Sequence, residues 1–194
     1  TTTLALARNL AFSAGAMTVN GMLRLDQGGA ASGPTSFTYG ANTTLVFNNS
    51  SGALGLTSSS VYWPSAGGPT NVTVQGAGGI SLSTGARTVA GTLAVSGPIS
   101  GANLLTLSGT TQMNAGGSVS GAPTYSGSAA LVYNAGLSVG GEWGSGAAVG
   151  VGVPATVTIQ AGAGTVAMPN GDRAVPGNLT ITSGTLALNA TAGN

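Results

Sequence analysis

Apolar and polar residues alternate with a period of two along most of the chain. The pattern is plain in NVTV (71–74), TLAVS (92–96), ALVYN (130–134), TVTIQ (156–160), NLTIT (178–182) and TLALN (185–189). A period of two predicts strands with one face buried, not helices. Val, Ile and Thr branch at Cβ, which suits a pleated sheet and crowds a helix. Dipeptides such as GG, NG and SG separate these runs and predict tight turns between short strands. The 35 glycines, spread along the whole chain, would each cost a helix about 1 kcal/mol relative to alanine. No helix is expected.

The strand pattern itself recurs. TYGANTTLVFNN begins at Thr38 and TYSGSAALVYNA at Thr124; each leads to a tryptophan, Trp63 or Trp143. PTNVTVQ and ARTVAGTLAVSG then follow in the first copy, PATVTIQ and DRAVPGNLTITSG in the second. Tyr39 and Tyr125 are 86 residues apart, as are Arg87 and Arg173, while the Pro69 to Pro154 spacing is 85. ARNLAFSAGAMTVNGMLRL, from Ala7, reads as an earlier and more degenerate copy aligned on Arg8 and Arg87. Repeats of short strands predict a solenoid, in which each coil stacks on the next and no coil buries its apolar face alone. The expected fold is all-β, a parallel β-solenoid with right-handed crossovers, built from degenerate repeats of about 85 residues. It would be one continuous unit over residues 1–194, with repeats at about 1–37 (partial), 38–123 and 124–194 (partial). A pair of antiparallel β-sandwich modules of the same length is the alternative.

Charge narrows the function classes. Arg8, Arg24, Arg87 and Arg173 face Asp26, Glu142 and Asp172, a net charge of +1, with no Lys, His or Cys. So few cations neutralise no phosphate backbone, and nucleic acid is not an expected partner. The apolar runs fall far short of the roughly 20 residues of a membrane-spanning helix, so no membrane insertion is expected. The chain starts at Thr1 in mid-pattern, which reads as a mature or excised piece of something longer.

Candidate chemistry is sparse. Nucleophile triads lack His and Cys, and the three acids lie far apart in sequence, so no enzyme, metal site or cofactor is expected. Arg8, Arg87 and Arg173 recur before a strand and are expected to bond turn carbonyls. Trp63 and Trp143, in the most divergent loops, either cover the core or stack on sugar rings. Outward threonine rows could order water, although TxT does not recur at a fixed short spacing. Asn42, Asn49, Asn71, Asn178 and Asn189 stand in glycosylation-type NxS/T contexts.

The pattern WPSAGGPTNVTVQGAGGISL…RTVAGTLAVSG (from Trp63) resembles repeat regions of large bacterial secreted surface proteins, Bacteroidetes-like ones among them. It is also similar to the passengers of autotransporter and haemagglutinin-type adhesins. The resemblance covers most of the chain and implies a secreted β-helical stalk or fibre, extracellular or on the cell surface; it carries over no catalytic residue. The expected function is a structural subunit stacking head to tail on copies of itself, or on adjoining repeats of one longer chain. The expected contact joins Thr2, Leu4 and Leu6 to Thr185, Leu186 and Leu188, in the segment ending at Asn189. A glycan- or surface-binding adhesin, touching its partner through Trp63 and Trp143, is the alternative.

Overall fold

The computed structural model describes residues 2–15 and 17–188. The backbone winds through stacked coils of up to three short strands. Coil 1 holds β1 (Thr3–Leu6), β2 (Asn9–Ala11) and β3 (Thr18–Val19); coil 2 holds β4 (Met22–Asp26), β5 (Ala30–Ser32) and β6 (Thr38–Tyr39). Coil 3 has β7 (Thr44–Asn48) and β8 (Leu54–Leu56); coil 4 has β9 (Asn71–Gln75), β10 (Ile80–Leu82) and β11 (Arg87–Val89). Coil 5 follows with β12 (Thr92–Val95), β13 (Pro98–Ser100) and β14 (Leu105–Leu107). Coil 6 comprises β15 (Thr110–Met113), β16 (Ser118–Val119) and β17 (Thr124–Tyr125). Coils 7, 8 and 9 contribute β18 (Ala130–Tyr133), the long β19 (Thr156–Met168) and β20 (Leu179–Leu188). The fold is a parallel β-solenoid, as the strand pattern predicts. The antiparallel sandwich is overturned, because every strand pair is parallel and the antiparallel contacts are isolated bridges at Thr124–Val151 and Gly150–Val153.

One sheet organises the molecule. Its nine strands run β1-β4-β7-β9-β12-β15-β18-β19-β20. Two columns of side chains point inward from it. Leu4, Leu23, Leu45, Val72, Leu93, Thr111, Leu131, Val157 and Leu179 form the first. Leu6, Leu25, Phe47, Val74, Val95, Met113, Tyr133, Ile159 and Ile181 form the second. The interior members are buried, and this stacking of like on like is the core. A polar column closes the sheet on its outer side: Asn48 donates to Asp26 at 2.6 Å, Asn134 to Asn114 at 2.7 Å and Gln160 to Asn134 at 2.7 Å. With Arg24 also at 3.0 Å, the Asn48 hydrogen bond holds the Asp26 carboxyl below its ordinary value despite some desolvation.

Coil length varies while the register does not. Successive first-face strands advance by 19, 22, 27, 21, 18, 20, 26 and 22 residues. The turns absorb the difference. Thr44 and Ala130 occupy the same sheet position four coils apart and are 86 residues apart, so the spacing of the sequence repeat is that of four coils. The two long coils, 27 and 26 residues, carry the tryptophan loops.

Glycine is required where coils touch. Gly101 has φ 72°, and a Cβ there would lie 2.0 Å from the Leu82 carbonyl oxygen of the coil beneath. Gly101→Ala is expected to cost about 3 kcal/mol, combining the left-handed penalty with a forced separation of coils 4 and 5. Chemical denaturation measures it; a loss near the roughly 0.5 kcal/mol typical of surface changes would show that the coils part freely.

Candidate functional site

Two tryptophan-centred clusters repeat the same construction four coils apart. In coil 3, Phe47 points inward and meets Trp63, ring centroids 5.6 Å apart and planes at 35°. In coil 7, Tyr133 takes the place of Phe47 and meets Trp143 at 6.1 Å and 37°. A second tyrosine ties each loop down. Tyr39 donates its hydroxyl to the Tyr62 carbonyl, and Tyr125 donates to the Glu142 carbonyl at 2.9 Å. Each bonded carbonyl belongs to the residue just before a tryptophan.

The clusters differ at one paired position. Phe47 packs edge-to-face on Tyr62 at 6.5 Å. Their counterparts, Tyr133 and Glu142, are joined instead by a hydrogen bond from the phenol to Oε1 at 2.8 Å. The Gly140 N–H also donates to Glu142, 2.9 Å from Oε1 and 3.1 Å from Oε2. Glu142 is fully buried. Burial pushes its carboxyl above the ordinary value, against the hydrogen bonds and the Arg173 charge that oppose the shift. Burial likewise raises Tyr39, Tyr62, Tyr125 and Tyr133, with the Glu142 charge adding to the rise at Tyr125 and Tyr133.

A carboxyl raised in the folded state binds a proton there before the unfolded chain does. Its contribution to stability therefore grows as pH falls through the raised value and levels off below about 4.5. Between pH 8 and 4 the wild type is expected to gain on the order of 1 kcal/mol relative to Glu142→Gln. Urea denaturation of the pair across that range tests this. A stability difference independent of pH would mean that Glu142 is not the titrating group.

Trp63 and Trp143 are 0 % and 2 % exposed. The expectation that they contact a glycan is corrected: neither ring offers a face to a sugar, and both cover the core from their loops. The Trp143 indole N–H donates to the Ala174 carbonyl at 2.9 Å, whereas that of Trp63 is buried without a partner.

Two of the three aligned arginines do bond turn carbonyls. Buried Arg87 donates to Thr57 at 2.6 Å and to Ala86 at 3.0 Å; Arg173 donates to Asp172 at 2.8 Å and Gly171 at 3.3 Å. Arg8 is not their equivalent. It lies in the bend between β1 and β2, while Arg87 opens β11 on the third face, so the alignment of Ala7 with Ala86 is displaced. Met17, one residue before β3, is the residue that stands where Arg87 does. The acids do not converge either: Asp26 ends β4 in coil 2, Glu142 is enclosed in the coil 7 loop, and Asp172 lies in the turn after β19. Among the sequons, Asn49 is buried and donates to the Gly79 carbonyl at 3.1 Å, so it is closed to a glycan. Asn189 lies outside the described residues.

The ends of the solenoid are the second candidate. Leu4, at 37 % exposure, and Leu179 and Ile181, at 46 % and 51 %, are the outermost members of the two inward columns. Leu188, at 70 %, continues the same open strand. Val151 is the one other large apolar residue so exposed among the described residues. The two largest recesses, about 310 and 300 Å³, also lie at the ends, one beside Leu4 and Met17, the other beside Met168 and Leu188. The expected contact between Thr2–Leu6 and Thr185–Leu188 needs a change of register. β1 belongs to the nine-stranded face, but β20 leaves that face near Ser183, and Thr185–Leu188 pairs with Thr165–Met168 on the second face. Leu179 and Ile181 hold the matching positions; the run NLTITSG, aligned with GTLAVSG, carries that signal in the sequence.

No protein-family model, curated protein or solved structure matches this chain.

Proposed function

We propose that the chain is building material: a structural element of an extracellular bacterial fibre, sheath or surface stalk, extended by stacking at its ends. The observation that carries this reading is the concentration of exposed large apolar residues, four of five, on the two end strands. Each end is a cut through the same ladder that forms the core. An open parallel edge offers unpaired N–H and C=O groups together with apolar side chains, and it templates another strand. Neither end strand carries a charged residue to block such addition. The secreted, bacterial setting rests on the resemblance of the repeats and on the low charge. A catalytic role has no constellation of side chains behind it. The adhesin alternative depended on Trp63 and Trp143, and their burial leaves it without a platform.

Sedimentation velocity over a wide concentration range tests the reading. An open-ended series of species, growing with concentration, is expected. A single monomeric boundary up to millimolar concentration would overturn it.

A further inference from the structure

We infer that the partner at each end is a second copy of this chain, added in parallel and in register, nine-stranded face on nine-stranded face. In this junction Leu4 of the incoming copy lies over Leu179, Ala5 over Thr180 and Leu6 over Ile181. The inference rests on the proposed stacking function and adds the partner, its polarity and its register.

Three features lead to this junction. The first is continuity with the interfaces inside the molecule. Leu4 already stacks on Leu23 and Leu6 on Leu25, while Leu179 and Ile181 stack on Val157 and Ile159. Placing Leu4 on Leu179 and Leu6 on Ile181 continues both columns with the same kind of pair. Thr111 is the one polar residue in eighteen column positions, so a column of Leu, Val and Ile is the rule the junction has to meet.

The second feature is that neighbouring registers fail. A shift of one residue turns every inward side chain outward and would set Leu6 over the exposed Thr180. A shift of two leaves Leu179 or Ile181 without a partner in its column. Only the in-register junction covers all four end residues of the columns at once.

The third feature is the second face. With the first faces aligned, β2 follows β1 and reaches Thr185–Leu188, so that Leu10 stands beside Leu186 and the exposed Leu188. The apolar side chains on both halves of β20 are then covered by one copy. Such a contact is heterologous and does not close on itself, which yields a polar filament.

The chain has no cysteine, so introduced ones report on the junction alone. Ala5 and Thr180 are both exposed and point outward, and replacing them leaves the core intact. In the proposed register their Cα atoms lie about 4.8 Å apart, within disulfide range; Thr3 and Thr180 would be about 8 Å apart, outside it. Under mild oxidation, Ala5→Cys with Thr180→Cys is expected to give a ladder of covalent oligomers on a non-reducing gel. The pair Thr3→Cys with Thr180→Cys should cross-link at least tenfold more slowly, and each single variant should stay monomeric under denaturing conditions. Circular dichroism confirms that each variant keeps its sheet.

Efficient dimerisation of Thr180→Cys alone would show tail-to-tail pairing and overturn the polarity. Equal cross-linking of the Thr3 pair would overturn the register. An Ala5/Thr180 pair that sediments as a long assembly without cross-linking would overturn this junction and leave the stacking function standing. A monomer by sedimentation would overturn both.

Discussion

Trp63→Ala is expected to destabilise the protein by about 4 kcal/mol, the usual cost of truncating a fully buried tryptophan. The indole N–H is unpaired, so almost all of the loss is packing against Phe47 and the cavity left beneath the coil 3 loop. Domains of this kind are stable by roughly 5–15 kcal/mol, so the variant should unfold at a much lower urea concentration. Trp143→Ala is expected to cost at least as much, because it also strands the Ala174 carbonyl. Were Trp63→Ala to denature like the wild type, the ring would have to be exposed, and its placement under the loop would be wrong.

The second large effect is on association. Leu179→Lys combined with Ile181→Lys should weaken self-assembly by about a hundredfold or more, since stacking would have to bury two ammonium groups inside the core columns. Both residues are about half exposed in the free chain, so its thermal unfolding should hardly change. That contrast separates an end interface from a core defect. Equal losses of stability and assembly would place these side chains in the core of the single chain instead.

The sheet periodicity and the turn glycines made the fold class legible, because a period of two survives whatever the turns do. Coil length was hidden. Advances of 18 to 27 residues leave no fixed short period, and only the four-coil spacing of 86 stood out. The same variation concealed the true ladder at the carboxyl end. TLAL occurs at 3–6 and again at 185–188, yet the first lies on the nine-stranded face and the second beyond a bulge on the next. Which face a strand occupies depends on how many residues its preceding turn consumes, and alternation says nothing of that. The tryptophans failed for a related reason: a loop residue has no periodic partner to say which way it points. Arg87 and Arg173 were readable, because a lone cation in so apolar a chain has few acceptors other than turn carbonyls.

The recurrence of Phe47 with Tyr62 as Tyr133 with Glu142 shows what the repeat preserves. An edge-to-face contact in one copy becomes a hydrogen bond in the other, while the tryptophan beside it and the tyrosine strut keep their places. Shape is kept and chemistry is exchanged. That is the behaviour of a structural unit, and it directs attention to the ends, where the unit stops.

Electron cryomicroscopy of the concentrated protein tests this account most directly. In-register stacking of nine-stranded copies predicts filaments with a strand reflection at about 4.8 Å and an axial repeat of about 43 Å, nine strand spacings per copy. Closed particles of fixed stoichiometry, or filaments in which the strand reflection runs across the axis instead of along it, would contradict it.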